Sequence, residues 1–198
     1  MDMLRAVLFA HVAAMIGLFV ALAIEWVALA RLRRSVAYEQ AREWAGLWSL
    51  LAPVGVSSFL VVWASGVYLA KTLGAWDLEW ASAAVPTLLV VAIAAGAVRP
   101  RRKRLLLTIS EHSGLLPPRL LAELRHPVLL RSLRLRAALL VGLVWLMTLK
   151  PDRGILIMVA VASLGALWGL SMSRGPDPKS SPILNGPRMD LEPPAEES

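Results

Sequence analysis

The sequence contains no cysteine, which excludes disulfides, iron–sulfur clusters and thiolate-held metal sites and leaves the compartment open. Charge is scarce as well: 18% of residues are Asp, Glu, Lys or Arg, against 57% hydrophobic, and the mean hydropathy is +0.61. That balance is too apolar for an ordinary soluble domain. Histidine is limited to three residues, and no phosphate-cradling glycine loop, HExxH, nucleophile elbow or clustered carboxylate pair occurs. An enzyme built on this chain would have to rely on a cofactor, and the sequence leans away from enzymatic activity.

What the chain does contain is a series of apolar runs. The first, residues 6–30, is long enough to cross a bilayer with some length left for tilt, and its only ionisable side chains are His11 and Glu25. His11, Met15, Leu18, Leu22 and Glu25 step by four and three, so they share one helix face. Ala13, Gly17 and Ala21 form a second face of small residues, the spacing that lets another helix approach closely. The run exceeds the core of a signal peptide, and its positive cluster follows rather than precedes it, so it reads as an uncleaved anchor.

Further spans are expected at 47–70, 81–98, 132–149 and 155–171, giving an all-α polytopic transmembrane helical bundle of five spans over residues 1–172. Pro53, Gly55, Ser57 and Ser58 predict a kink or a close contact early in the second span. The third is expected to stop at Arg99 and Pro100. Residues 99–131 then form an amphipathic connection with short helices at 105–111 and 120–125, suited either to the surface of an anionic leaflet or to a plain linker. The fourth apolar run spans only if it borrows 132–136, which brings Arg134 and Arg136 inside the boundary. Gly165 and Gly169 form a GxxxG pair in the fifth span. Residues 173–198, rich in proline and without apolar periodicity, read as a disordered cytoplasmic tail.

Basic residues decide the orientation. With the first connection inside, the inner segments hold seventeen of the 21 Lys and Arg, and the outer segments hold Arg5, Lys71, Lys150 and Arg153. The positive-inside rule then places the N-terminus out and the C-terminus in, across an inner (plasma) membrane. Trp26, Trp44, Trp48 and Trp168 fall near the inner interface and Trp76, Trp80 and Trp145 near the outer one, with Trp63 the exception. The net charge of +7 does not point to nucleic acid, because the basic residues lie between hydrophobic spans, where they meet anionic lipid.

Glu25 lies roughly 7 Å inside the inner end of the first helix, where an unpaired carboxylate costs several kcal/mol. A long Arg side chain entering from the same side can reach it, so the sequence predicts a structural Glu25 to Arg136 ion pair, with Arg134 and Arg99 the lesser choices. A proton or cation site at Glu25 is the functional alternative. His11 sits about 21 Å along the axis from Glu25, too far for direct cooperation. It is a candidate haem b or copper ligand, a partner for a quinone carbonyl, or an interhelical hydrogen-bonding group. Met15 on the same face makes His11 and Met15 a soft-metal pair, and Met147, Tyr68 and Lys71 are the side chains able to approach His11 at its depth.

The stretch Leu130, Arg131, Ser132, Leu133, with Arg136, and then Leu146 to Asp152, resembles a group of uncharacterised bacterial predicted integral membrane proteins of four or five spans. The early His11, and Glu25, Trp26 and Arg31 to Arg34 at the end of the first helix, share in that resemblance, which covers most of the first 170 residues and implies no activity. More distantly, an early histidine on the first span resembles the copper-resistance D-type domain and the haem-binding membrane protoporphyrinogen oxidases, and only His11 corresponds. Three classes follow from the sequence, in this order. The first is a binding or accessory membrane protein with a membrane-protein partner or a second copy of itself. The second is a haem or quinone redox protein using His11, and the third a small ion-coupled transporter using Glu25 and Arg136.

Overall fold

The computed structural model describes residues 2–150 and 153–171, and among them the chain is helical with no strand. The helices are α1 (Asp2–Leu32), α2 (Tyr38–Thr72), α3 (Glu79–Glu111), α4 (Pro118–Leu124), α5 (Pro127–Leu149) and α6 (Gly154–Ser171), with one 3₁₀ turn at Ala75–Asp77. Four segments are long and apolar enough to cross a membrane: Asp2–Leu32, Tyr38–Thr72, Glu79–Glu111, and Pro118–Leu149, which takes α4 and α5 together. The expected tail at 173–198, and Pro151 and Asp152 of the last turn, lie outside the described residues, as does the Trp168 side chain.

Small residues set which helices touch. α1 and α2 form a long antiparallel pair. A Cβ on Gly17 would lie 2.5 Å from Ser58 Oγ, and one on Gly55 would lie 3.4 Å from Ala21 Cβ. The glycine and serine positions around Pro53 therefore serve close approach, and α2 runs unbroken through Pro53. α5 and α6 pair the same way: a Cβ on Gly165 would meet Ala138 Cβ at 2.8 Å, and one on Gly142 would meet Val161 Cγ1 at 2.8 Å. Between helices this apolar, close backbone approach adds the van der Waals contact that holds a pair together.

The core has two parts. At the end where α1 finishes, Leu29, Leu32, Trp48, Leu105, Ile109, Leu124 and Leu133 bring together α1, α2, α3, α4 and α5. At the end where α1 begins, Leu18, Val62, Leu88, Leu139, Leu143 and Leu146 join α1, α2, α3 and α5. These are called the closed and open ends below.

Four helices differ from their expected bounds by more than two residues, and α1 and α5 simply begin earlier, at Asp2 rather than 6 and at Pro127 rather than 132. α3 does not stop at Arg99 and Pro100 but continues to Glu111, and α2 begins nine residues before position 47, at Tyr38. Pro100 removes one backbone donor, a local loss that ends a helix only when nothing beyond it holds the chain. Here Leu105 and Ile109 are each 1% exposed, so the continuation is secured by burial. Leu116, Leu120 and Leu124 of the 99–131 segment are buried too. Those leucines face the protein, leaving Leu107, Leu115 and Val128 as its exposed large apolar side chains. The loops of this end are tied to each other: Tyr38 N donates to the Gly114 carbonyl at 2.8 Å, Leu116 N to the Val36 carbonyl at 3.0 Å, and Arg42 Nη2 to the His112 carbonyl at 2.7 Å.

Gly165→Ala is expected to destabilise the protein by about 1–3 kcal/mol, because Ala138 Cβ cannot rotate out of the way. Gly96→Ala, where nothing lies within 4 Å, should be neutral or stabilising by up to about 1 kcal/mol. Thermal unfolding of both variants in one detergent checks the pair, and equal melting temperatures would argue against close α5–α6 packing.

Candidate functional site

The sequence-derived candidates separate into two places. At the closed end, Arg136 of α5 donates to both oxygens of Glu25 on α1, Nη1 to Oε2 and Nη2 to Oε1, each at 2.9 Å. Both side chains are largely buried, at 10% and 14% exposure. A second cation, Arg102 of α3, stands 4.0 Å from Glu25 Oε1. Its guanidinium also donates to the Trp48 carbonyl of α2 and lies over the Trp48 ring, 4.4 Å from its centre. One carboxylate thus serves cations from two helices, and α1, α2, α3 and α5 meet there. Ser132 Oγ adds a 2.6 Å bond to the Ala94 carbonyl, fastening α5 to α3 one turn before Arg136.

With both Glu25 oxygens held by a planar guanidinium, this is the bidentate geometry that fixes position as well as charge. Arg134 is buried nearby on α5 and does not make this pair. Outside the spans, burial, and then the positive charges of Arg134 and Arg125, hold the Arg33 guanidinium below its ordinary pKa. Arg33 Nη2 donates to the Arg125 carbonyl at 3.1 Å, linking the end of α1 to the end of α4.

His11 lies in a different setting. Near the open end, α1, α2, α3 and α5 surround a cavity of about 610 Å³ with walls contributed by His11, Met15, Trp63, Trp76, Trp80 and Met147 among others. Among the described residues no lysine, arginine, aspartate or glutamate lines it. A shallow hollow of about 470 Å³ between α1 and α5 shares Phe19, Val144 and Thr148 with it, so the cavity continues toward the flank of the bundle. His11 Nδ1 is 2.9 Å from Ser65 Oγ on α2, and a Cβ on Gly66 would lie 3.4 Å from His11 Cε1. The imidazole therefore bridges two helices at the cavity wall.

Met15 and Met147 line the same cavity, whereas Tyr68 and Lys71 do not. Among the described residues no three or more His, Cys, Asp or Glu gather where a metal ion could sit. The other histidines are at the opposite end: His112 stacks on Tyr38 at 5.7 Å, and His126 Nδ1 accepts from Val128 N at 3.3 Å to cap α5. Ser65 and Arg102 are the site residues that sequence reasoning did not single out. A serine in an apolar helix at the depth of His11 was the available signal for Ser65. Arg102 was hidden by ending α3 at Pro100.

Replacing Glu25 with Gln should destabilise the protein by about 3–5 kcal/mol, since Arg136 and Arg102 would be left buried without their anion. The exchange Glu25→Arg with Arg136→Glu should restore only part of the loss, because Arg102 would then face a second cation at position 25. Detergent melting curves and membrane yield check both, and full stability in Glu25→Gln would dismiss the pair as structural. Comparison with family models, curated proteins and solved structures finds no match to this chain, so its chemistry has to be read from its own residues.

Proposed function

We propose that the protein is a binding protein of the inner (plasma) membrane that holds an apolar molecule in the cavity between α1, α2, α3 and α5. The observation that carries this reading is the cavity itself. Ligand sites are typically about 300–1,000 Å³, mostly apolar, and marked by a few polar groups that set orientation. Here the volume is about 610 Å³, the walls are aliphatic and aromatic, and His11 is the histidine among them. The flank between α1 and α5 supplies a route of access from lipid.

The remaining topology belongs to the same proposal: α6 as a fifth span, the N-terminus outside and the C-terminus inside, in keeping with the distribution of Lys and Arg. In that orientation the cavity lies in the outer half of the membrane. The closed end, with its Arg residues, then meets the anionic inner leaflet. An ion-coupled transporter using Glu25 is less well supported, since Arg136 engages both carboxylate oxygens.

The test is to purify the protein in mild detergent, extract it with organic solvent and identify what is released by mass spectrometry, alongside an Ala70→Trp variant. Ala70 is half-buried in the cavity wall, so an indole there fills the space. A single apolar species at near-equimolar amount, reduced at least tenfold in a folded Ala70→Trp, is the expected result. Equal recovery from both proteins would refute binding in the cavity. An absorption spectrum of the same sample, oxidised and reduced, separates a haem from a colourless ligand, and a haem band lost in His11→Ala would move the redox reading to first place.

A further inference from the structure

The hydrogen bonds of Ser65 decide which proton His11 carries, and through it the class of molecule the cavity suits. Ser65 Oγ is within bonding range of three groups: the Val61 carbonyl, the Val62 carbonyl at 3.3 Å, and His11 Nδ1 at 2.9 Å. A hydroxyl has one proton to give, and carbonyls only accept. The carbonyl one turn back, that of Val61, is the usual acceptor for a helical serine, and it is within bonding range here. The serine oxygen then presents only lone pairs to the imidazole. Nδ1 must therefore carry the hydrogen and donate it. A neutral imidazole has one N–H, so once Nδ1 donates, Nε2 is the acceptor; the ring's contacts on α2 are Ser65 Oγ and the Val62 carbonyl, and a carbonyl too can only receive a hydrogen from it.

We infer that the cavity takes an apolar molecule bearing a hydroxyl group, whose O–H donates to His11 Nε2. Quinols and isoprenoid alcohols share this chemistry. The inference rests on the cavity being a binding site, as proposed above, and adds the polarity of its ligand. A carbonyl in the same place, such as that of an oxidised quinone, would set an acceptor against the Nε2 lone pair. A charged headgroup would find no counter-ion among the described residues of the lining, none of which is Lys, Arg, Asp or Glu. A metal ion would have one imidazole and the weak thioethers of Met15 and Met147. A hydroxyl needs only the one acceptor. The faces of Trp63, Trp76 and Trp80 suit a ring or an unsaturated chain.

Two measurements on the full-length protein in mild detergent test this. The first follows quenching of tryptophan fluorescence by decylubiquinol kept reduced, by its oxidised form and by its O-methyl ethers, with farnesol and farnesyl methyl ether as a second arm. At least one alcohol should bind about tenfold tighter than its ether, the difference that one hydrogen bond left unmade produces. The quinol also binds tighter than the quinone. The arm in which this holds distinguishes a ring from a chain. In His11→Phe, binding of the apolar body persists and the preference for the alcohol disappears.

The second measurement is an imidazole ¹⁵N spectrum of histidine-labelled protein, with the His11 signals identified by their loss in His11→Phe. An Nδ1–H tautomer is expected, with its pattern altered in Ser65→Ala. Equal affinity for alcohol and ether, tighter binding of the oxidised quinone, or an Nε2–H tautomer would overturn the inference while leaving an apolar site in place. Failure of every probe to bind would instead overturn the binding site on which it rests.

Discussion

The pairing of Glu25 with Arg136, reinforced by Arg102, is the constraint on which the rest of the structure depends. α1 and α5 touch sparingly along their lengths, and this bidentate contact is what brings them together. In a low-dielectric interior neither charge can leave the other without a large desolvation cost, so the two helices stay fixed at that depth. The leucine-rich core around Leu29, Leu105, Leu124 and Leu133 fills the space beyond it and seals that end. Toward the other end no comparable contact draws α1 onto α5, and the cavity occupies the gap.

The two helical pairs are held by a different means. α1 lies on α2, and α5 on α6, through glycines and alanines that leave no room for a larger side chain. Close backbone approach holds each pair together, and the pairs, clamped at one end by Glu25 and packed at the other on Leu18, Val62, Leu88 and Leu143, leave the cavity beside that second core. His11 stands where this matters, on the tightly packed α1–α2 pair and also on the cleft. Its bond to Ser65 orients the ring before any ligand arrives, which is the pre-organisation a binding site needs. The same residue thus has a hydrogen bond to Ser65 and a place on the cavity wall.

Several features could be read directly from the residues. Gly17 and Ala21 mark a packing face because their spacing matches a helical turn, although Ala13 at the head of the same spacing is exposed, and Glu25 demands a partner because of its depth. Other features could not be read so. The Pro at position 100 looks like a helix end, since local propensity disfavours it, yet burial of Leu105 and Ile109 outweighs that loss. The leucines of 105–124, set between Arg104, Arg119 and Arg125, form a pattern that fits a membrane surface and a protein core equally well. Which one they face depends on whether α1 and α2 are there to cover them.

By itself the sequence determined the class of the protein, because long apolar runs satisfy their backbone polar groups only as helices and because a buried carboxylate has to be neutralised. It also marked the asymmetry of the two ends, by gathering most of its Lys and Arg in the stretches that follow the first and third apolar runs. Only the tertiary structure decided that Arg102 joins Arg136 on Glu25, that Ser65 faces His11, and that a cavity lies beside them. The physical reason is distance along the chain: these partners are separated by dozens of residues, and no local pattern of hydrophobicity or charge encodes which of several equally suitable side chains will be brought within hydrogen-bonding reach.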